Sequence, residues 1–88
     1  MLKFVTFHEQ ALNDYCDWAL ENKKIFSKIN KMIRQIQRTP FEGEGKPEAL
    51  RHELAGYWSR RITDEHRLVY KIEGEHIYIT QCKGHYMQ

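Results

Sequence analysis

Eighty-eight residues, 41% hydrophobic and 30% charged, with 14 Lys and Arg against 12 Asp and Glu for a net charge of +2, describe one small globular domain over residues 1–88 and exclude a disordered chain. At this size only about 60–65% of the unfolded surface is buried on folding, so the core is limited. No apolar run approaches the roughly 20 residues of a membrane span, and Met1-Leu2-Lys3-Phe4-Val5-Thr6-Phe7, soon followed by Glu9, lacks the apolar stretch of a secretory signal, so a cytoplasmic protein is expected.

Residues 2–7 are short, apolar and β-rich, and read as a first strand. From about His8 to Glu21 the spacing becomes helical, with Ala11, Tyr15 and Trp18 on one side and Leu12, Cys16 and Ala19 beside them. Asn22 can stop this helix and cap the next. The second helix, about 23–39, carries Ile25, Ile29, Met32, Ile33 and Ile36 at spacings of three and four. So tight a link makes an αα-hairpin, which Pro40 ends. Lys23, Lys24, Lys28, Lys31, Arg34 and Arg38 all fall in this second helix, in a stretch without an acid. Such a segment is either a solvated face or a surface for an anionic partner.

Residues 41–48, with Gly43, Gly45 and Pro47, have the composition of a loop. The period then becomes two. Tyr57 to Ile62, His66 to Glu73 and His76 to Cys82 read as strands joined at Thr63-Asp64-Glu65 and at Gly74-Glu75, the latter a two-residue hairpin turn with glycine first. The order β-α-α-β-β-β predicts an α+β fold, an N-terminal αα-hairpin packed on a mainly antiparallel twisted sheet. Trp58 reads as a buried core aromatic. Cys16 and Cys82, far apart and without CxxC spacing, read as buried free thiols, and the five histidines lack ligand spacing, so neither a metal nor another cofactor is expected.

A three-residue loop at Thr63-Asp64-Glu65 sets Arg61 opposite Arg67 and Trp58 opposite Tyr70 on the other side of the sheet. Like charges directly opposite are destabilising, so the arginine pair calls for either a nearby carboxylate or a bound phosphate, which suits the planar guanidinium fork. Glu48, at the end of the loop, is a salt-bridge partner or a base. His85 follows Gly84, which breaks the strand alternation, and histidine is the side chain that exchanges protons most readily near neutral pH. A carboxylate, a histidine and an arginine match the needs of RNA transesterification: one group removes the 2′-hydroxyl proton, one protonates the leaving 5′-oxygen, and a cation stabilises the phosphorane.

Arg38-Thr39-Pro40-Phe41-Glu42-Gly43-Glu44-Gly45-Lys46-Pro47-Glu48, Gly56-Tyr57-Trp58-Ser59-Arg60-Arg61-Ile62, Glu65-His66-Arg67-Leu68-Val69-Tyr70 and the ending Cys82-Lys83-Gly84-His85-Tyr86 resemble the YoeB branch of the RelE superfamily. The resemblance implies the toxin half of a type II toxin–antitoxin pair and a ribosome-dependent endonuclease acting on mRNA. It implies Glu48 as general base, His85 as general acid and Arg67 as the cation at the transition state, with Arg61 assisting at the phosphate. It further implies that Tyr86 orients or stacks on a base, that Lys46, Arg51 and Lys83 contact phosphate, and that the basic helix meets ribosomal RNA. The implied partners are a YefM-like antitoxin, the ribosome with its mRNA, and a second copy in a homodimer. Family members commonly end at the His-Tyr pair, whereas Met87 and Gln88 follow here; activity is expected to survive this addition. Gyrase-poisoning toxins of the ParE type share the architecture but lack the combination of Glu48, Arg67 and His85. A plain RNA-binding module is the other alternative.

Overall fold

The computed structural model describes residues 1–85; Tyr86 and the Met87-Gln88 addition lie outside the described residues. Strand β1 (Phe4–Phe7) leads into helices α1 (Glu9–Glu21) and α2 (Lys23–Arg38), and then come β2 (Glu48–Ala49), a short 3-10 turn (His52–Leu54), β3 (Tyr57–Arg61), β4 (Arg67–Glu73) and β5 (His76–Gln81). Asn22 serves both helices, as its position suggests. Its backbone N–H donates to the Trp18 carbonyl, and its side-chain oxygen accepts from Lys24 N and Ile25 N at 3.1 Å each.

The strands form one sheet in the order β1-β5-β4-β3-β2. β1 runs parallel to β5 and the remaining pairs are antiparallel. The parallel pairing follows from the hairpin between: α1 and α2 return the chain so that β5 can add beside β1. The sequence reading missed β2, because two residues are too few to display an alternation. The predicted hairpin register is found, with Arg61 opposite Arg67, Trp58 opposite Tyr70 and Glu73 opposite His76.

The core lies between the hairpin and one face of the sheet. Ala11 and Trp18 of α1 and Ile29, Met32, Ile33 and Ile36 of α2 meet Leu68, Tyr70, Ile77 and Ile79. Each such aliphatic side chain contributes about 1.5–3 kcal/mol on burial. Trp18 is 6% exposed and its indole N–H donates to the Cys82 carbonyl at 3.0 Å. Trp58, expected in the core, is only half-buried. It sits beside the short edge strand, with the Phe41 ring at 4.7 Å as its packing partner, so Trp18 holds the place predicted for it.

The two cysteines also part company. Both are free thiols, but Cys82 is buried while Cys16 is exposed on α1. Burial, then the negative charge of Asp14, push the Cys82 thiol up to about 12, with Lys83 pulling the other way. The thiolate is the reactive form. In the native protein a thiol-disulfide reagent should therefore label one equivalent, Cys16, promptly and the second only after denaturation. Prompt labelling of both would contradict this packing.

Candidate active site

Strand alternation builds the site. On β3, Tyr57, Ser59 and Arg61 share the face turned away from the helices, because successive side chains point to opposite sides. Arg67 on β4 is the partner of Arg61, and Glu48 on β2 is the partner of Ser59. Lys46, Glu48, Ser59, Arg61 and Arg67 together line an open cavity of about 50 Å³. A water molecule occupies about 30 Å³ of liquid, so the space suits a small polar group. Three cations face it with one carboxylate, which makes it a receptor for a negatively charged group. The like-charged pair read from the sequence thus has a carboxylate beside it and cationic character left over.

The loop before β2 is held by close approach. Gly45 has φ +87°, and a Cβ there would lie 2.8 Å from the Arg61 carbonyl oxygen and 2.8 Å from the Met32 methyl. Its own carbonyl accepts from Arg61 N at 2.7 Å. Lys46 follows with φ 51°, a left-handed conformation that non-glycine residues seldom adopt. Such strain persists where surrounding structure imposes it, and it is common at functional sites. Gly45→Ala should therefore lower stability by about 2–4 kcal/mol, from backbone strain and overpacking together. A urea midpoint equal to that of the wild type would show that the loop can shift without loss.

Beneath this loop lies Arg60, fully buried on the opposite side of β3 from Arg61. Its Nε donates to the Tyr70 hydroxyl at 3.1 Å and Nη1 to Gln35 Oε1 at 3.0 Å and the Glu44 carbonyl at 3.2 Å. Nη2 donates to the carbonyls of Thr39 and Glu42 at 3.0 and 2.9 Å. The Tyr70 hydroxyl donates in turn to the Pro40 carbonyl at 2.7 Å. Burial raises the Tyr70 pKa above its usual value, and the hydrogen bond and charge of Arg60 offset part of that rise. The sequence reading assigned Arg60 no role. A charged residue at an inward position of an alternating strand was the available signal. Ser59 was also missed, although the alternation that exposed Arg61 places it in the same row.

Arg67 is fixed from its own hairpin loop. Its Nη1 donates to the carbonyls of Thr63, Asp64 and His66 at 2.7, 3.1 and 3.2 Å. Its backbone N–H donates to the Gly84 carbonyl at 3.0 Å. The exposed His85 therefore follows a residue bonded to the first residue of β4. The structure brings Lys46, Glu48, Arg61 and Arg67 into one cavity and sets the His85 backbone beside the start of β4. It directs Lys83 elsewhere, over the Trp18 ring at 5.0 Å and 3.8 Å from Glu21. Arg51 caps the 3-10 turn, outside the cavity lining. Tyr86 lies outside the described residues.

A helical hairpin on one face of a mixed sheet, with a cationic cleft and a carboxylate on the other, defines a small α+β protein built to receive an anionic group. The family of YoeB-like toxins of bacterial type II toxin–antitoxin systems matches residues 7–86. Toxin YoeB of Escherichia coli strain K12 is 51% identical over 78 residues, covering 89% of this chain and 93% of that toxin. Among solved structures, the YoeB–YefM complex from Staphylococcus aureus superposes with a TM-score of 0.89 at 48% identity, covering 98% of this chain and 99% of that one. The YoeB dimer from Staphylococcus aureus gives a TM-score of 0.90 at 46% identity, covering 98% and 100%. This chain belongs to the YoeB family of type II toxins.

Proposed function

We propose that the chain is a ribosome-dependent endoribonuclease that cuts mRNA in the ribosomal A site and so stops translation. The observation that carries this reading is the joint placement of Glu48 with Lys46, Arg61 and Arg67 around one small polar cavity. A phosphodiester placed among the three cations presents its neighbouring 2′-hydroxyl to the carboxylate. Glu48 removes the hydroxyl proton, and the 2′-oxygen attacks the adjacent phosphorus. Charge that builds on the phosphorane oxygens is stabilised by Arg67, with Arg61 and Lys46 assisting, where preorganised donors act most strongly. His85 gives its proton to the departing 5′-oxygen. The bonds made and broken leave a 2′,3′-cyclic phosphate on one fragment and a 5′-hydroxyl on the other.

All of these groups belong to the chain itself, and the reaction so written is metal-independent. Tyr86 orients or stacks on a base, and Arg51 and Lys83 serve as outlying phosphate contacts. The basic face of α2 meets ribosomal RNA through sequence-independent phosphate attraction. The partners are a YefM-like antitoxin, whose counterpart is found with the Staphylococcus aureus toxin, and a second copy of the chain in a homodimer. Among the described residues no helix is long and apolar enough to cross a membrane, in keeping with a cytoplasmic site of action on the ribosome.

End-group analysis tests the chemistry. Fragments from translating ribosomes should carry a 5′-hydroxyl that a polynucleotide kinase labels without prior phosphatase treatment. A 5′-phosphate on the downstream fragment would rule out attack by the 2′-hydroxyl.

A further inference from the structure

The segment that carries His85 has its own anchor. Trp18 Nε1 donates to the Cys82 carbonyl at 3.0 Å, and Gln81 Nε2 donates to the carbonyls of Lys83 and Gly84 at 3.1 and 2.9 Å. Gly84 adopts φ +79°, and a Cβ built on it would meet nothing within 4 Å. Its glycine identity therefore serves the backbone turn and not a close approach. Both polar backbone groups of Gly84 are taken up by consecutive residues at the start of β4. Its carbonyl accepts from Arg67 N at 3.0 Å, and its N–H donates to the Nδ1 of His66 at 2.9 Å. The His66 ring stands edge-on to Trp18, with centroids 4.9 Å apart and planes at 74°. An Nδ1 that accepts must be unprotonated, which puts the ring proton of the neutral imidazole on Nε2.

We propose that His66 is a positioning residue for catalysis: by accepting the Gly84 N–H on Nδ1, it fixes the backbone immediately before His85 in the same frame as Arg67. This rests on the reading of His85 as the general acid. Arg67 lines the phosphate cavity, and its neighbour His66 orients the chain that delivers the proton. One dipeptide on β4 thus sets the relation between the cation and the acid of the reaction. Without the acceptor, Gly84 can turn about its own backbone and His85 leaves the productive geometry, although the core contacts of Trp18 and Cys82 remain. A misplacement of about 1 Å in a reacting group can cost roughly 100-fold in rate.

Two variants separate this role from simple packing. His66→Phe keeps a ring against Trp18 and removes the acceptor, whereas His66→Asn places an amide oxygen near the position of Nδ1. Both are compared with wild type on ribosomes carrying a defined message, measuring kcat and KM separately, together with Gly84 amide hydrogen exchange and thermal melts of the free proteins. His66→Phe should lower kcat roughly 10–100-fold, with KM and melting temperature near wild type and faster Gly84 exchange. His66→Asn should recover most of the rate and the protection. Wild-type kcat in His66→Phe, unchanged Gly84 exchange, or equal loss in both variants would overturn the proposal. If the wild type itself cuts nothing, the nuclease reading falls and this inference falls with it, a pattern distinct from an active wild type matched by His66→Phe.

Discussion

Glu48→Ala, Arg67→Ala and His85→Ala should each leave a folded protein whose cleavage rate is about 10²–10⁴-fold lower, the usual weight of a general acid, a general base or a transition-state charge. Glu48 and His85 are exposed, so their truncation leaves the core intact. Arg67 needs more care, because its Nη1 also closes the hairpin loop through the carbonyls of Thr63 and Asp64. Arg67→Lys provides the control: it keeps a cation and loses the planar fork, and should remain well below wild type. Rates are read in single turnover on programmed ribosomes, with circular dichroism to verify the fold. Near-wild-type cleavage in all three alanine variants would remove the basis for the assignment.

The largest expected effect on stability lies one residue from the cavity. Arg60→Ala removes the donors that satisfy the carbonyls of Thr39, Glu42 and Glu44, the Gln35 amide oxygen and the Tyr70 hydroxyl. Buried acceptors left without partners cost about 1–3 kcal/mol each, and the removed side chain leaves a void besides. A loss on the order of 3–5 kcal/mol is expected, by analogy with breaking a buried charged network. Domains of this kind have only about 5–15 kcal/mol in total. The melting temperature should fall by at least about 12 °C. Arg61→Ala, on the adjacent but outward position, should melt close to wild type and lose activity instead. Equal melting of the Arg60 and Arg61 variants would mean that the buried network does not hold the loop.

The contrast between these neighbouring arginines marks where the sequence was readable. Period-two alternation is a local property, so it assigned Arg61 to the open face, placed Arg67 opposite it and located the hairpin turns. Helical spacing likewise gave both helices, and Asn22 gave their junction. What stayed hidden depends on contacts distant in sequence. Arg60 finds its partners 10–25 residues away, in a loop whose composition says only that it bends. Strand β2 exists because Glu48 and Ala49 pair with Ser59 and Trp58, not because those two residues favour a strand. Trp58 was misread for a related reason, since hydrophobicity does not reveal that the sheet edge leaves a ring half-covered. Glu48, Arg67 and His85 came from family resemblance and chemical need. The structure adds the cavity shared by Glu48 and Arg67 and the backbone path that leads to His85.

The most direct test of ribosome-dependent mRNA cleavage is primer extension on a defined message in a reconstituted translation system, with wild type, His85→Ala and a ribosome-free control run in parallel. The account predicts a discrete cut within the A-site codon for the wild type on ribosomes, and none in the other two reactions. Translation arrest without any cut, or an equal cut by His85→Ala, would contradict it.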